Sequence, residues 1–188
     1  EVNIINVVKN SFDALPEYMA AFIDTVYVGD FPDMTSRKIN AKYKERAIYM
    51  TNDQDSVEDA VDDMIHEMAH ACEDNLASEI YGDGEIEQEF LGKRERMYSV
   101  LSGEGYETNR ADFLDLEYNS RFDNSLYSEI GYANLAPLSV NLFYSPYAIT
   151  SLKEYFANGF EAFFYEKGYE RLKGLSPRLY EKILNLAE

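Results

Sequence analysis

The chain has 188 residues, of which 35 are acidic and 17 basic, for a formal charge of −18; 46% are hydrophobic, with 16 Tyr, 11 Phe and no Trp. Length and apolar content suit one folded domain with its own core and argue against a disordered chain, while the charge argues against nucleic acid or an anionic lipid surface as partner. No apolar run is long enough to cross a bilayer, so membrane insertion is not expected, and the single cysteine, Cys72, excludes an intrachain disulfide and a thiolate-rich metal site.

The opening EVNIINVVKN lacks a basic leader, an uninterrupted apolar stretch and a small-residue cleavage site, so it does not read as a signal peptide; without an initiator Met it is expected to be a mature or excised form. Residues 3–14 (NIINVVKNSFDA) carry helical spacing, and Pro16 opens a second short helix, PEYMAAFID. TVYVGD (25–30) and KINAKYKERAIYM (38–50), rich in β-branched and aromatic residues, predict two or three short strands. TNDQDS (51–56) reads as a turn that delivers Ser56 as an N-cap, with Asp59 three residues later in a capping-box position.

The clearest element is a helix from about 57 to 74. Val57, Val61, Met64, Ile65, Met68 and Cys72 share one face, and Asp59, Asp62, Asp63, His66, His70 and Glu73 lie opposite, so the histidines turn away from the core side of their own helix. Cys72 reads as a small core residue. Residues 76–145 look mainly helical. EIEQEFLGKRERMYSVLSG predicts a helix closing at Gly103, and NRADFLDLEYNSRFDNSLYSEIG one closing at Gly131. A further helix starts near 152 and stops near Gly168. Ser176 and Pro177 open the last, whose apolar face carries Leu179, Tyr180, Ile183, Leu184 and Ala187.

His66 and His70 are the chain's only histidines. They stand four apart, with Glu67 next to the first, in DDMIHEMAHACED (62–74). Four residues is the helical spacing that points two imidazoles at one ion, and the Glu between them then sits over the open coordination position, where it can take a proton from water. The alternative is a solvated polar face that holds two histidines by accident. A metzincin needs a Gly three residues past the second His and a third His six past it; Glu73 and Leu76 occupy those places, and that class is excluded.

Catalytic zinc takes three protein ligands, so with no imidazole left the third must be a carboxylate. Glu73 and Asp74 continue the same helix and are poorly placed to close a tetrahedral site. Glu154 and Glu161 share one face of a second helix with Asn158 and Tyr165, and a crossing helix could carry a carboxylate over the histidine pair. Glu154 has a competing explanation, as the acid three residues after a Ser151 N-cap.

The stretch YSPYAITSLKEYFANGFEAFF (144–164), following HEMAH, resembles the lethal-factor-type metallopeptidases, in which a Tyr precedes the zinc-binding Glu by seven residues, as Tyr147 precedes Glu154 here. The tail LKGLSPRLYEKILNL is similar to the family's closing segment. The resemblance implies a zincin-like, gluzincin metallopeptidase with one zinc on His66, His70 and Glu154, Glu67 as general base, and Tyr147 as the hydroxyl that stabilises the transition state. It covers the HExxH helix and roughly 144–187. Family members place the Glu much nearer HExxH, so residues 76–145 are an insertion or divergent subdomain. Ala69 stands where the family often has Gly, and Asn158 where it usually has Glu; Asn158 could orient a ligand histidine through its side-chain oxygen.

The expectation is therefore a mostly helical α+β metallopeptidase domain in four parts: an N-terminal α/β region (1–55), the HExxH helix (56–75), the helical insertion (76–145) and the Glu-ligand and C-terminal helices (146–188). A strand within 38–50 would border the cleft and pair with a peptide or protein substrate. The acids flanking the histidines favour basic residues near the scissile bond. A monomer, or a part of a larger assembly, in a secreted or particle-associated setting is expected. The competing functions are a zinc-retaining binding or structural module without peptidase activity, such as a component of a toxin or virus particle, and a zinc hydrolase of a non-peptide amide.

Overall fold

The computed structural model describes residues 2–37, 39–51 and 53–188; Lys38 of the expected strand region and Asn52 of the expected turn lie outside them. The architecture is α+β and mainly helical. In the N-terminal part, α1 (Ile4–Asp13) and the short α2 (Glu17–Ala20) precede β1 (Thr25–Gly29), α3 (Pro32–Arg37), β2 (Ala41–Lys44) and β3 (Ala47–Thr51). The strands form a sheet in the order β1-β3-β2, with β1 parallel and β2 antiparallel to β3. The sequence pattern does not foretell α3.

β2 and β3 are joined by a two-residue turn whose residues, Glu45 and Arg46, both take left-handed φ values, 51° and 63°. Such a turn normally uses Asn-Gly, because a Cβ is costly there. Arg46 offsets this: its guanidinium bridges both oxygens of Asp24 at 2.8 and 2.9 Å and reaches the Ala21 carbonyl, while its own carbonyl accepts the Asp24 N–H. The turn is thereby tied to the approach to β1.

Ser56 caps α4 (Val57–Tyr81) as expected, its Oγ accepting the Asp59 N–H. The apolar face found in the sequence is buried, with Met64 and Ile65 at 0% exposure. α4 is longer than the sequence pattern suggests. It runs to Tyr81 through a break at Leu76 (φ −124°, ψ 24°). Its other face is covered as well, because α8 (Leu152–Phe164) packs along it. The part of the polar side that carries His66 and His70 is therefore an inter-helical seam rather than a solvated surface.

Between them, α5 (Glu85–Gly103) is as expected in extent, but the left-handed glycine after it is Gly105 (φ 87°) rather than Gly103. The predicted single helix over 109–131 is broken. It comprises a 3-10 turn (Arg110–Leu114), α6 (Ser120–Asn124), a π-helical turn (Ser125–Ile130) and then α7 (Tyr132–Ser139) after Gly131. Asn109 and Asn119 each cap a new start with their side chains, and buried Arg94 takes the Asp112 and Asp115 carbonyls that a continuous helix would use internally. Arg94 lies among the rings of Phe90, Phe113 and Phe122, with its guanidinium 4.6 Å from the last.

Ser151 caps α8, and the helix ends at Phe164, earlier than expected. α9 (Tyr169–Leu175), which the sequence pattern misses, and α10 (Pro177–Ala187) close the chain. Gly159 lets α10 approach α8 closely, since a Cβ there would meet Leu179 at 2.4 Å.

Candidate metal centre

His66 and His70 project from the middle of α4 onto α8, where their side chains keep only 16% and 18% exposure. Across the seam Glu154, three residues into α8, keeps 13%. Its backbone N–H is held by the Ser151 Oγ at 3.2 Å, so the capping role and the site role coexist: the main chain makes the cap and the carboxylate turns to the histidines. Nε2 of His66 lies 3.0 Å from Glu154 Oε2 and 3.2 Å from Nε2 of His70, which in turn lies 3.8 Å from Glu154 Oε1. A tetrahedral ion with bonds of about 2.0–2.1 Å holds its ligands about 3.3 Å apart. The three groups stand at 3.0–3.8 Å, close to that separation, and form a group that could hold a metal ion.

The protons point to the same conclusion. Nδ1 of His66 donates to Glu161, and Nδ1 of His70 donates to Glu73 at 2.7 Å. In the neutral form with the ring proton on Nδ1, both Nε2 atoms present lone pairs to each other and to a carboxylate. Glu154 Oε2 is sealed from solvent without a hydrogen-bond partner among the described residues. In that neutral tautomer the centre of the cluster suits a metal ion; without one, a proton on Nε2 of His66 fills the same place against Glu154. Burial opposes positive charge on His66, yet Glu154 and Glu161 outweigh it and hold its pKa well above the ordinary value. For His70, Glu73 outweighs burial in the same sense. Burial likewise pushes the Glu154 carboxyl up, but His66, His70 and the Tyr147 hydroxyl together hold it low.

Two supporting carboxylates are thus placed behind the histidines. Sequence analysis sets Glu73 aside as a ligand and leaves Glu161 as an alternative to Glu154; the structure puts both on Nδ1 atoms. The signal for Glu161 is its place two turns after Glu154 on the same face. Asn158, read as a possible orienter of a histidine, is instead bonded through Oδ1 to the Ser145 hydroxyl. Asp74 does not enter the cluster.

Glu67 lies beside the cluster, and its Oε2 accepts the backbone N–H of Tyr43 in β2. That pairing follows from strand alternation. Asn40 turns its carbonyl to Thr51 of β3, so Ala41 and Tyr43 present their backbone groups on the other, open edge of the sheet. Tyr147 occupies a 3-10 turn before α8, with its ring 6.4 Å from that of His66. Burial, then the charges of Glu154 and Asp123, push its hydroxyl pKa far up, so it keeps its proton as a donor.

The cluster opens on two sides. A cleft of about 590 Å³ on the His66 side is bordered by Ala41, Asp62, Asp63, Glu67 and Tyr147. A second, of about 510 Å³, on the side of His70 and Glu154, is bordered by Tyr43, Lys44, Lys153 and, from the segment between α5 and α6, Glu117 and Tyr118. Of the four acids expected to face the site, Asp62 and Asp63 do. Asp59 is engaged at the helix cap and Glu73 lies behind His70. No helix among the described residues is long and apolar enough to cross a membrane. Compared with known proteins, the chain matches no protein-family model, no curated protein and no solved structure.

Proposed function

We propose that this chain is a zinc-dependent endopeptidase with a zincin-like, gluzincin arrangement. The observation that carries the reading is the convergence of His66 Nε2, His70 Nε2 and the Glu154 carboxylate within 3.0–3.8 Å of one another, with Glu67 beside them and facing the cleft. Two imidazoles and one carboxylate are the donor set of a catalytic zinc that keeps a position open. Zinc held there supplies Lewis acidity, which polarises the scissile carbonyl and makes water a nucleophile at neutral pH.

The remaining work falls to side chains of the chain itself. Glu67, steadied through Oε2 by Tyr43, takes the proton of the attacking water on Oε1 and delivers it to the departing amine. Tyr147 donates its hydroxyl to the oxyanion as charge develops. A groove open on both sides of the cluster accommodates an extended chain, and the outward backbone groups of Ala41 offer it a strand to pair with. The substrate class is therefore a peptide or an exposed protein segment.

The test is a comparison of zinc content and peptide-library cleavage for the unsubstituted chain and Glu67→Gln. Stoichiometric zinc in both, with cleavage only by the former, is the expected result. Zinc in both with cleavage by neither replaces the peptidase with a zinc-holding binding module.

A further inference from the structure

Behind His70 the site continues into the part of α4 that the zinc reading does not use. Glu73 is 3% exposed, a carboxylate almost wholly withdrawn from water, and it survives there by dividing its two oxygens. Oε2 takes the Nδ1–H of His70 at 2.7 Å, and Oε1 takes the hydroxyl of Tyr81. Burial, followed by the Glu73 carboxylate, pushes the Tyr81 hydroxyl far above its ordinary pKa, so it remains a donor.

Tyr81 is eight residues beyond Glu73. In an unbroken helix that is a rise of about 12 Å and a rotation of about 80°, more than a tyrosine leaning back along its own face can recover. The non-helical backbone at Leu76 lies between the two and redirects the last turns of α4. The redirected ring rests edge-on against Phe156 of α8, 6.2 Å between centroids, which fixes the hydroxyl from the far side. By contrast, Glu161 behind His66 borders the open cleft. The two histidines are therefore held differently, His66 by a carboxylate that borders the cleft and His70 by a buried carboxylate that a half-buried tyrosine holds in turn.

We propose that Tyr81 is a positioning residue of the metal centre, acting through Glu73 to fix the ring orientation and tautomer of His70, and that the break at Leu76 is what delivers it. This rests on the reading of His66, His70 and Glu154 as a zinc site. Tyr81 touches neither the metal ligands' Nε2 atoms nor the cleft, so its effect is on metal retention before it is on turnover.

The test measures zinc affinity by chelator competition, and zinc release into excess chelator, on the full chain and four variants: Tyr81→Phe, Glu73→Gln, the two combined, and Glu154→Ala. Circular dichroism and unfolding midpoints accompany each, and Tyr98→Phe, whose ring packs on Phe113, serves as a control. Tyr81→Phe removes one oxygen and keeps the ring; it should weaken zinc about 10-fold and speed its release, with Glu73→Gln weaker by about 10–100-fold. The double variant should be no worse than Glu73→Gln alone, because the hydroxyl has nothing left to act through. Tyr98→Phe should match the parent. Parental affinity and release in Tyr81→Phe, or losses that simply add in the double variant, overturn the relay while leaving the zinc site standing. A parent that binds no zinc, or Glu154→Ala that binds like the parent, overturns the zinc reading and the relay with it.

Discussion

The imidazole of His66 lies between two carboxylates of one helix: Nε2 faces Glu154 Oε2 at 3.0 Å, and Nδ1 donates to Glu161, two turns further along α8. One helix thus supplies both the third donor and the group that orients the first. Removing each should differ in degree. Glu154→Ala should lower zinc affinity by orders of magnitude, whereas Glu161→Gln should cost about 10–100-fold and leave a site that still loads. Metal analysis after dialysis against graded chelator measures both, and equal losses would exchange their roles.

On the proposed reading, Tyr147 acts on charge that forms after attack. Tyr147→Phe should keep its zinc and fold while turnover drops roughly 10²–10³-fold, the size expected for one oxyanion donor. The effect should appear in kcat more than in KM. Undiminished kcat would leave it a packing tyrosine.

Asp62 and Asp63 border the cleft next to Glu67, and Asp62 Oδ1 and Asp63 Oδ2 are buried without hydrogen-bond partners among the described residues. A substrate Lys or Arg would relieve both. Peptides with a basic residue near the scissile bond should be cut best, with kcat/KM falling as salt rises, and Asp62→Asn combined with Asp63→Asn should erase the preference. If neutral or proline-rich sites are cut best and salt affects all peptides alike, the acids serve solubility alone.

The same two acids should make stability depend on pH. Burial, then Glu161 and Glu166, push Asp62 up to about 7, and burial pushes Asp63 up to about 6. The folded chain therefore keeps protons that the unfolded chain gives up near pH 4. Their contribution is present below that pH and is lost as pH rises through 6 to 7. Asp62→Asn cannot ionise, so its Tm should match the parent near pH 4 and exceed it by about 2–4 °C at pH 8. Thermal scans of the metal-free chain across that range decide it; parallel curves would remove Asp62 as a source.

Arg94 holds the 110–122 segment to α5. Arg94→Ala leaves a cavity among Phe90, Phe113 and Phe122 and strips two carbonyls of their donor, a loss of about 3 kcal/mol or more in urea unfolding. Arg94→Lys keeps the charge but not the fork that spans Asp112 and Asp115, and should fall between the two. Because Asp123, which accepts from Tyr118 and Tyr132, also bears on Tyr147, both variants should lose turnover along with stability.

The α4 helix was legible because Val61, Met64, Ile65, Met68 and Cys72 repeat at helical spacing, a local signal that tertiary packing reinforces. Glu154 was legible only through its distance from Tyr147 and the resemblance; spacing by itself left Glu73 and Glu161 competing. The break-up of 109–131 was not, since its cause is a side chain earlier in the chain, Arg94, drawing carbonyls out of the helix. The Asn109 and Asn119 caps were readable in principle as competitors of helix. Neither the Glu73–Tyr81 bond nor the loss of Asn158 to Ser145 has a sequence signature, because both depend on where α8 and the Leu76 break direct the side chains.

The two left-handed residues at Glu45 and Arg46 give the site parts of unequal durability. The three candidate donors sit on α4 and α8, whereas Tyr43, which holds Glu67, lies on a hairpin whose turn is tied through Arg46 to Asp24 and Ala21 at the surface. An exposed ion pair like that of Arg46 and Asp24 is weak and screened by salt. Warming and salt should therefore act on this turn before they act on the packing of α4 against α8. On the proposed reading, turnover should then fade before the metal is lost, with the temperature of peak turnover below the melting point.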